Sequence, residues 1–156
     1  MSYKILFVCH GNICRSPMAE FIMKDMAEKA GLAGELEIAS AATSAEEIGN
    51  PVYPEARRKL AEHGIDCAGK TARRLTRADG MEYDLLIGMD AANICDMKRI
   101  CGAEAEDKIH FMLDYAGRCG VSVSDPWYTR DFDKAWSDIE AGCRGLLEVL
   151  KKSAAD

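Results

Sequence analysis

Apolar and polar positions along this chain fall into blocks that switch between strand and helix periods. The run Lys4-Ile5-Leu6-Phe7-Val8-Cys9 is apolar after its first residue, which suits a parallel strand covered on both faces. The period then changes. Met18, Ile22, Met26 and Ala30 fall at helical spacing, Ser16-Pro17 supplies an N-cap and a first-turn proline, and Gly31 can stop the helix. Glu35-Leu36-Glu37-Ile38-Ala39 alternates as a second strand does, and the polar, Gly- and Pro-containing segment 40–54 reads as a long loop of the kind that often carries function.

Farther along, 54–63 reads as a short helix closed by Gly64, and Tyr83-Asp84-Leu85-Leu86-Ile87-Gly88-Met89 reads as a third strand, with Asp90 placed to cap the helix after it. Residues 108–112 form a fourth short strand. Phe132, Trp136, Ile139, Cys143, Leu146 and Leu150 mark a final helix whose stripe is core packing. Strands alternating with helices predict an α/β chain. Its sheet should be open, parallel, four-stranded and doubly wound, with right-handed crossovers, helices on both faces and a ligand site at the carboxyl ends of the strands. Cys9 lies at such an end. With no internal repeat or linker, 1–156 is expected to form one domain, long enough to bury a core without metals or disulfides.

Charge narrows the function classes. Twenty Lys and Arg against 26 Asp and Glu leave a net charge of -6, which argues against a nucleic-acid or membrane-surface binder. The N-terminal residues run directly into the first strand without a secretory core, and no long apolar stretch follows, so a soluble, cytoplasmic protein is expected. Seven cysteines at irregular spacing are unlike a secreted disulfide framework and should be mostly buried thiols. His10, His63 and His110 are scattered, and no cluster has metal-ligand spacing, so neither metal nor cofactor is implied.

The candidate chemistry begins at Cys9-His10-Gly11-Asn12-Ile13-Cys14-Arg15-Ser16. A strand, a tight loop and a helix start turn successive backbone N–H groups around a concavity, and the helix dipole adds positive potential there. Gly11 offers backbone freedom, Asn12 tolerates left-handed geometry, and Arg15 can fork onto two phosphate oxygens. Such surroundings favour thiolate, lowering a cysteine pKa from about 8.5 into a range of roughly 3.5 to 7.5, so Cys9 is a candidate nucleophile. Neither a Walker loop nor a dinucleotide fingerprint is present, which argues against ATP and NAD. For Cys9 and Cys14 two readings stay open: a reversible disulfide, or a merely buried Cys14.

Expelling an alkoxide or phenoxide from phosphorus needs a proton donor, and the same group can later activate water. Asp125 stands out because Ser122-Val123-Ser124-Asp125-Pro126-Trp127-Tyr128 is a Pro-stiffened loop with two aromatics beside the acid, although an Asp-Pro pair alone reads first as a turn.

With these motifs and the segment Ser40-Ala41-Ala42-Thr43-Ser44 to Ile48-Gly49-Asn50-Pro51, the chain resembles the low-molecular-weight protein tyrosine phosphatases over about 3–151. The resemblance implies strand order 2-1-3-4. It also implies Cys9 as nucleophile, Arg15 as phosphate clamp and Asp125 as acid then base. Ser16 would hydrogen-bond the thiolate, Asn12 would hold the loop and Ser40 would support Asn12. Asp90 would belong to the network behind the loop or simply cap its helix. Glu46, Trp127 and Tyr128 would line the substrate cleft, where phosphotyrosine proteins or small aryl phosphates bind and phosphate-like oxyanions inhibit.

This chain departs from the family pattern in three places. Many relatives carry an aromatic at the position of Glu46, and a carboxylate there would repel acidic peptide flanks. Lys70 stands where some relatives have His, and Ala42 where bacterial relatives often have Gly. Alternatives remain: an arginine phosphatase, disfavoured because that group carries Thr at the position of Ile13; an arsenate reductase, disfavoured by the absence of an evident resolving cysteine; and a non-catalytic phosphoprotein-binding module, disfavoured by the joint presence of Cys9, Arg15 and Asp125.

Overall fold

The computed structural model describes residues 2–155; Met1 and Asp156, the ends of the expected domain, lie outside the described residues. Four parallel strands, β1 (Tyr3–Cys9), β2 (Leu36–Ala42), β3 (Leu85–Gly88) and β4 (Ile109–Phe111), form one sheet in the order β2-β1-β3-β4. Cys9 pairs with Ala42 at one end of β1, and Val8 pairs with Gly88 on the other side. Strand order reverses between β1 and β3, so the carboxyl ends of these two strands open the crevice where an open α/β sheet binds its ligand.

Helices α1 (Arg15–Lys29), α2 (Pro54–Glu62) and α6 (Phe132–Ala155) cover one face over a core that includes Ile5, Phe7, Met18, Ile139 and Cys143. Helices α3 (Arg77–Glu82) and α4 (Ala91–Cys101) cover the other over Leu6, Val8, Leu86 and Met97. β1 therefore needs apolar side chains on both faces, which is why its sequence shows no alternation. A one-turn helix, α5 (Pro126–Thr129), precedes α6. Among the described residues no helix is long and apolar enough to cross a membrane.

Several local expectations need correction. Ser16 does not cap α1: Cys14 occupies the N-cap without a side-chain hydrogen bond, and the Ser16 hydroxyl turns inward to Cys9 and Asn12 instead. β2 does not end at Ala39 but continues through Ser40, Ala41 and Ala42, so the expected loop begins only at Thr43. These three small residues carry little apolar signal, yet all are buried because α1 and the 72–75 segment close over them. Helix α3 was not anticipated; it is stabilised by a capping box between Thr76 and Asp79.

α6 packs unusually close to the 3-10 turn Met112–Ala116. A Cβ on Gly145 would fall inside the contact shell of the Tyr115 carbonyl oxygen, and one on Gly142 would lie 2.7 Å from the Met112 carbonyl oxygen. Only glycine permits this approach.

Candidate active site

At the end of β1 the chain turns through residues 9–14 before α1 begins. Three loop carbonyls point outward and are taken by the neighbouring segment: Cys9 O accepts from Thr43 N at 3.0 Å, His10 O from Ser44 N at 3.1 Å and Ile13 O from Tyr53 N at 2.8 Å. The N–H groups of Ile13, Cys14, Arg15 and Ser16 bond to no other described residue. Carbonyls taken up by the neighbouring segment and amides left unpaired is the polarity an anion requires, reinforced by the N-terminus of a 15-residue helix.

The left-handed residue of the loop is Asn12, with φ 58, while Gly11 lies outside that region. Left-handed backbone at a non-glycine costs on the order of 1 kcal/mol or more and persists only where surroundings over-determine it. They do so here. The fully buried Asn12 donates through Nδ2 to Ser16 Oγ at 2.7 Å and Ser40 Oγ at 2.9 Å, and its Oδ1 accepts from Arg73 N at 3.2 Å. Because Ser16 accepts from Asn12, its hydroxyl hydrogen is free to donate to Cys9 Sγ at 3.0 Å. Asn12 N–H also points at that sulfur, at 3.3 Å.

The network continues behind the loop to Glu20 and Lys24, which sequence reasoning missed, and to Lys70, which it noted only as a departure from relatives. Ser40 donates to the buried Glu20 at 2.5 Å, Lys24 reaches the other Glu20 oxygen at 2.6 Å, and Lys70 lies 3.5 Å from Glu20 while donating to Ser40 O at 3.0 Å. Burial pulls the Lys70 pKa below the ordinary lysine value, against the opposing pull of Glu20. A glutamate inside a helix gives no local sign of such a role; only the approach of β2 reveals it.

Arg15 is 2% exposed. Its Nη1 donates to Asp90 Oδ2 at 2.7 Å and Val123 O at 2.8 Å, and Nη2 to Asp125 Oδ2 at 3.3 Å. Burial disfavours its charge, but Cys9, Asp125 and Asp90 outweigh that and hold the guanidinium pKa above the ordinary value. Asp90 serves twice: Oδ1 accepts from Asn93 N at 2.8 Å and caps α4, while Oδ2 takes Arg15. Asp125 caps α5 by accepting from Trp127 N at 3.0 Å, so the segment expected as a loop forms a helical turn that aims the other carboxylate oxygen at Arg15. Burial first, then the nearby Cys9 and Asp125, pushes the Cys14 thiol pKa up, so Cys14 stays protonated. Cys9 and Cys14 are both free thiols in this structure.

These residues surround a cavity of about 110 Å³ lined by Cys9, Cys14, Arg15, Asp125, His10, Gly11, Ile13, Glu46, Glu47, Trp127 and Tyr128. Asn12, Ser16 and Ser40 stand behind it. Glu46 accepts a hydrogen bond from His10 Nε2 at 3.0 Å, and Glu47, unnoticed in the sequence, is held by Asn50 Nδ2 at 2.6 Å. Trp127 packs edge-on against Tyr53 with ring centroids 5.0 Å apart. The floor offers unpaired N–H groups and a guanidinium beside a thiol, one wall carries a carboxylate, and aromatic side chains line the mouth.

The chain matches, over residues 4–156, the family model described as low molecular weight phosphotyrosine protein phosphatase. It is 39% identical over 149 residues to the low molecular weight protein-tyrosine-phosphatase YfkJ of Bacillus subtilis (strain 168), covering 95% of this chain and 96% of that protein. It is 32% identical over 148 residues to the human low molecular weight phosphotyrosine protein phosphatase, covering 92% and 93%. The crystal structure of YfkJ from Bacillus subtilis matches with a TM-score of 0.94 at 38% identity, over 98% of this chain and 97% of that one.

Proposed function

The chain belongs to the low molecular weight phosphotyrosine protein phosphatases, a family of hydrolases, and we propose that within it Cys9 is the nucleophile, Arg15 the phosphate clamp and Asp125 the general acid and then base. In the first step Cys9 sulfur attacks phosphorus, the bond from phosphorus to the tyrosyl oxygen breaks, and Asp125 gives that oxygen its proton. In the second, water attacks the phosphorus of phospho-Cys9, Asp125 takes the water's proton, and the thiolate leaves with phosphate released. Inward amides and the Arg15 guanidinium stabilise the equatorial oxygens in both steps. Ser16 and the Asn12 amide hold charge on the sulfur, and Asn12 and Ser40 keep the loop in shape. Trp127 and Tyr128 stack on the phenyl ring, with Glu46 across the mouth.

The observation that carries this reading is that the Cys9 thiol and the Arg15 guanidinium, from one loop, and the Asp125 carboxylate, more than a hundred residues farther on, line one small cavity beside unpaired loop N–H groups. Phosphotyrosine proteins and small aryl phosphates are its substrates, phosphate-like oxyanions its inhibitors, and one cytoplasmic domain its setting. Hydrolysis of a chromogenic aryl phosphate tests it: absence of wild-type turnover refutes the proposal. Asp125→Ala should lower kcat about 10²- to 10⁴-fold for poor leaving groups and far less for good ones, whereas equal loss across leaving groups removes Asp125 as the acid.

A further inference from the structure

The cavity above Cys9 does not end at its rim. Ile13, Glu47 and Trp127, which line it, also line a second open groove of about 610 Å³ that runs along α2. Pro54, Arg57 and Arg58 form part of the far side of that groove. Both arginines are exposed, and neither has a carboxylate partner among the described residues. Their basic neighbours differ: Lys59 is paired with Glu62 and Asp133, and Arg130 lies 3.7 Å from Glu55. On a chain of net charge -6, two adjacent unpaired guanidinium groups beside an active-site mouth are a local exception.

Charge therefore changes sign along the path out of the site. At the mouth stand the carboxylates Glu46 and Glu47, the first on His10 and the second on Asn50. Beyond Glu47 stand Arg57 and Arg58. The aromatic and proline surfaces between them offer an apolar track for an extended chain, continuous with the cavity that takes the phosphotyrosine.

Resting on the phosphatase reading above, we propose that this groove receives the polypeptide flanking the phosphotyrosine, and that Arg57 and Arg58 select substrates carrying an acidic residue placed past Glu47. A carboxylate directly beside the phosphotyrosine meets Glu46 and Glu47 and is disfavoured. One set farther along meets a planar donor fork and is favoured. Position of the acid, rather than total acidity, is what this surface reads.

The test is a series of phosphotyrosine peptides in a neutral background. One Asp is walked from the adjacent position to four residues away on either side, and an unflanked aryl phosphate serves as reference. Wild-type kcat/KM is expected to be lowest with the Asp adjacent and to rise about five- to tenfold at a more distant position on one side, the range of one or two exposed ion pairs. In the double variant Arg57→Gln/Arg58→Gln that rise disappears and the added salt dependence goes with it, while the aryl phosphate, which has no flank, is hydrolysed as before. A flat wild-type series, or a rise that survives the double substitution, overturns the proposal. Failure of the wild type on the aryl phosphate itself would instead strike the catalytic assignment.

Discussion

Behind Cys9 and above it lie two regions built on opposite plans. Behind it, Asn12, Ser16 and Ser40 are fully buried, and their hydrogen bonds leave each only one arrangement. Above it, the Glu46 side chain is 70% exposed, Tyr128 79% and Trp127 44%; Glu46 is held by His10 and Trp127 by Tyr53. A buried polar group without its partner costs about 1–3 kcal/mol, so the lower region tolerates little change, whereas exposed positions usually move stability by less than about 0.5 kcal/mol. Reaction chemistry is thus tied to folding, and substrate choice is left free to vary on the same frame.

Four substitutions probe that division, in order of expected effect. Cys9→Ser should lower aryl phosphate turnover by about 10⁴-fold or more, because the nucleophile has no substitute, while inorganic phosphate still binds in calorimetric titration. If turnover survives, the lower region does not hold the chemistry. Asn12→Ala should cost about 2–4 kcal/mol in urea unfolding and at least about tenfold in kcat, since it strands Ser16, Ser40 and the Arg73 N–H and leaves left-handed backbone unsupported. Loss of activity without loss of stability would show that loop shape and fold are separable.

Tyr128→Ala, by contrast, should leave stability within about 0.5 kcal/mol and lower kcat/KM for aryl phosphates about two- to tenfold, the worth of one aromatic contact. A large drop in melting temperature would put Tyr128 in the core, against its exposure. The smallest effect concerns Lys70. Its folded pKa lies below its unfolded one, so between the two the unfolded chain binds more protons and stability rises with pH. Lys70's unfavourable contribution is full below the folded pKa and vanishes above the unfolded value. Comparing wild type with Lys70→Met by urea unfolding from neutral pH toward 10.5, the balance should shift toward the wild type as pH rises. An unchanged difference would mean that Lys70 is solvated.

The sequence showed most where apolar period and chemistry coincide. β1, the α6 stripe and the Asp90 cap are legible because long apolar runs and capping residues act locally, and the paired motifs around Cys9 and Asp125 marked two side chains that the fold brings to one cavity. What escaped depends on neighbours distant in sequence. Ser16 was read as a cap because serine next to proline has that local meaning; Asn12 is what turns it inward. Ser40-Ala41-Ala42 looked like loop because small residues carry no period, and only the covering elements make them strand. Helix α3 lacked an apolar stripe, although Thr76 three residues before Asp79 was a readable capping signal. Glu20 and Glu47 carried none, since a charge that folds inward or onto a rim looks like any solvated charge until the sheet closes.

The close seam at Gly142 and Gly145 bears on how such a site can be inherited. It fixes the 112–116 turn against the last helix, and from that turn the chain proceeds to Val123, whose carbonyl Arg15 grips, and on to Asp125. The register between Asp125 and Cys9 therefore depends partly on two absent methyl groups in the packing of the last helix. A lineage could redraw the whole mouth of the cleft and keep its floor, yet one added carbon at Gly145 would push on the segment that leads to Asp125 without touching the cavity itself.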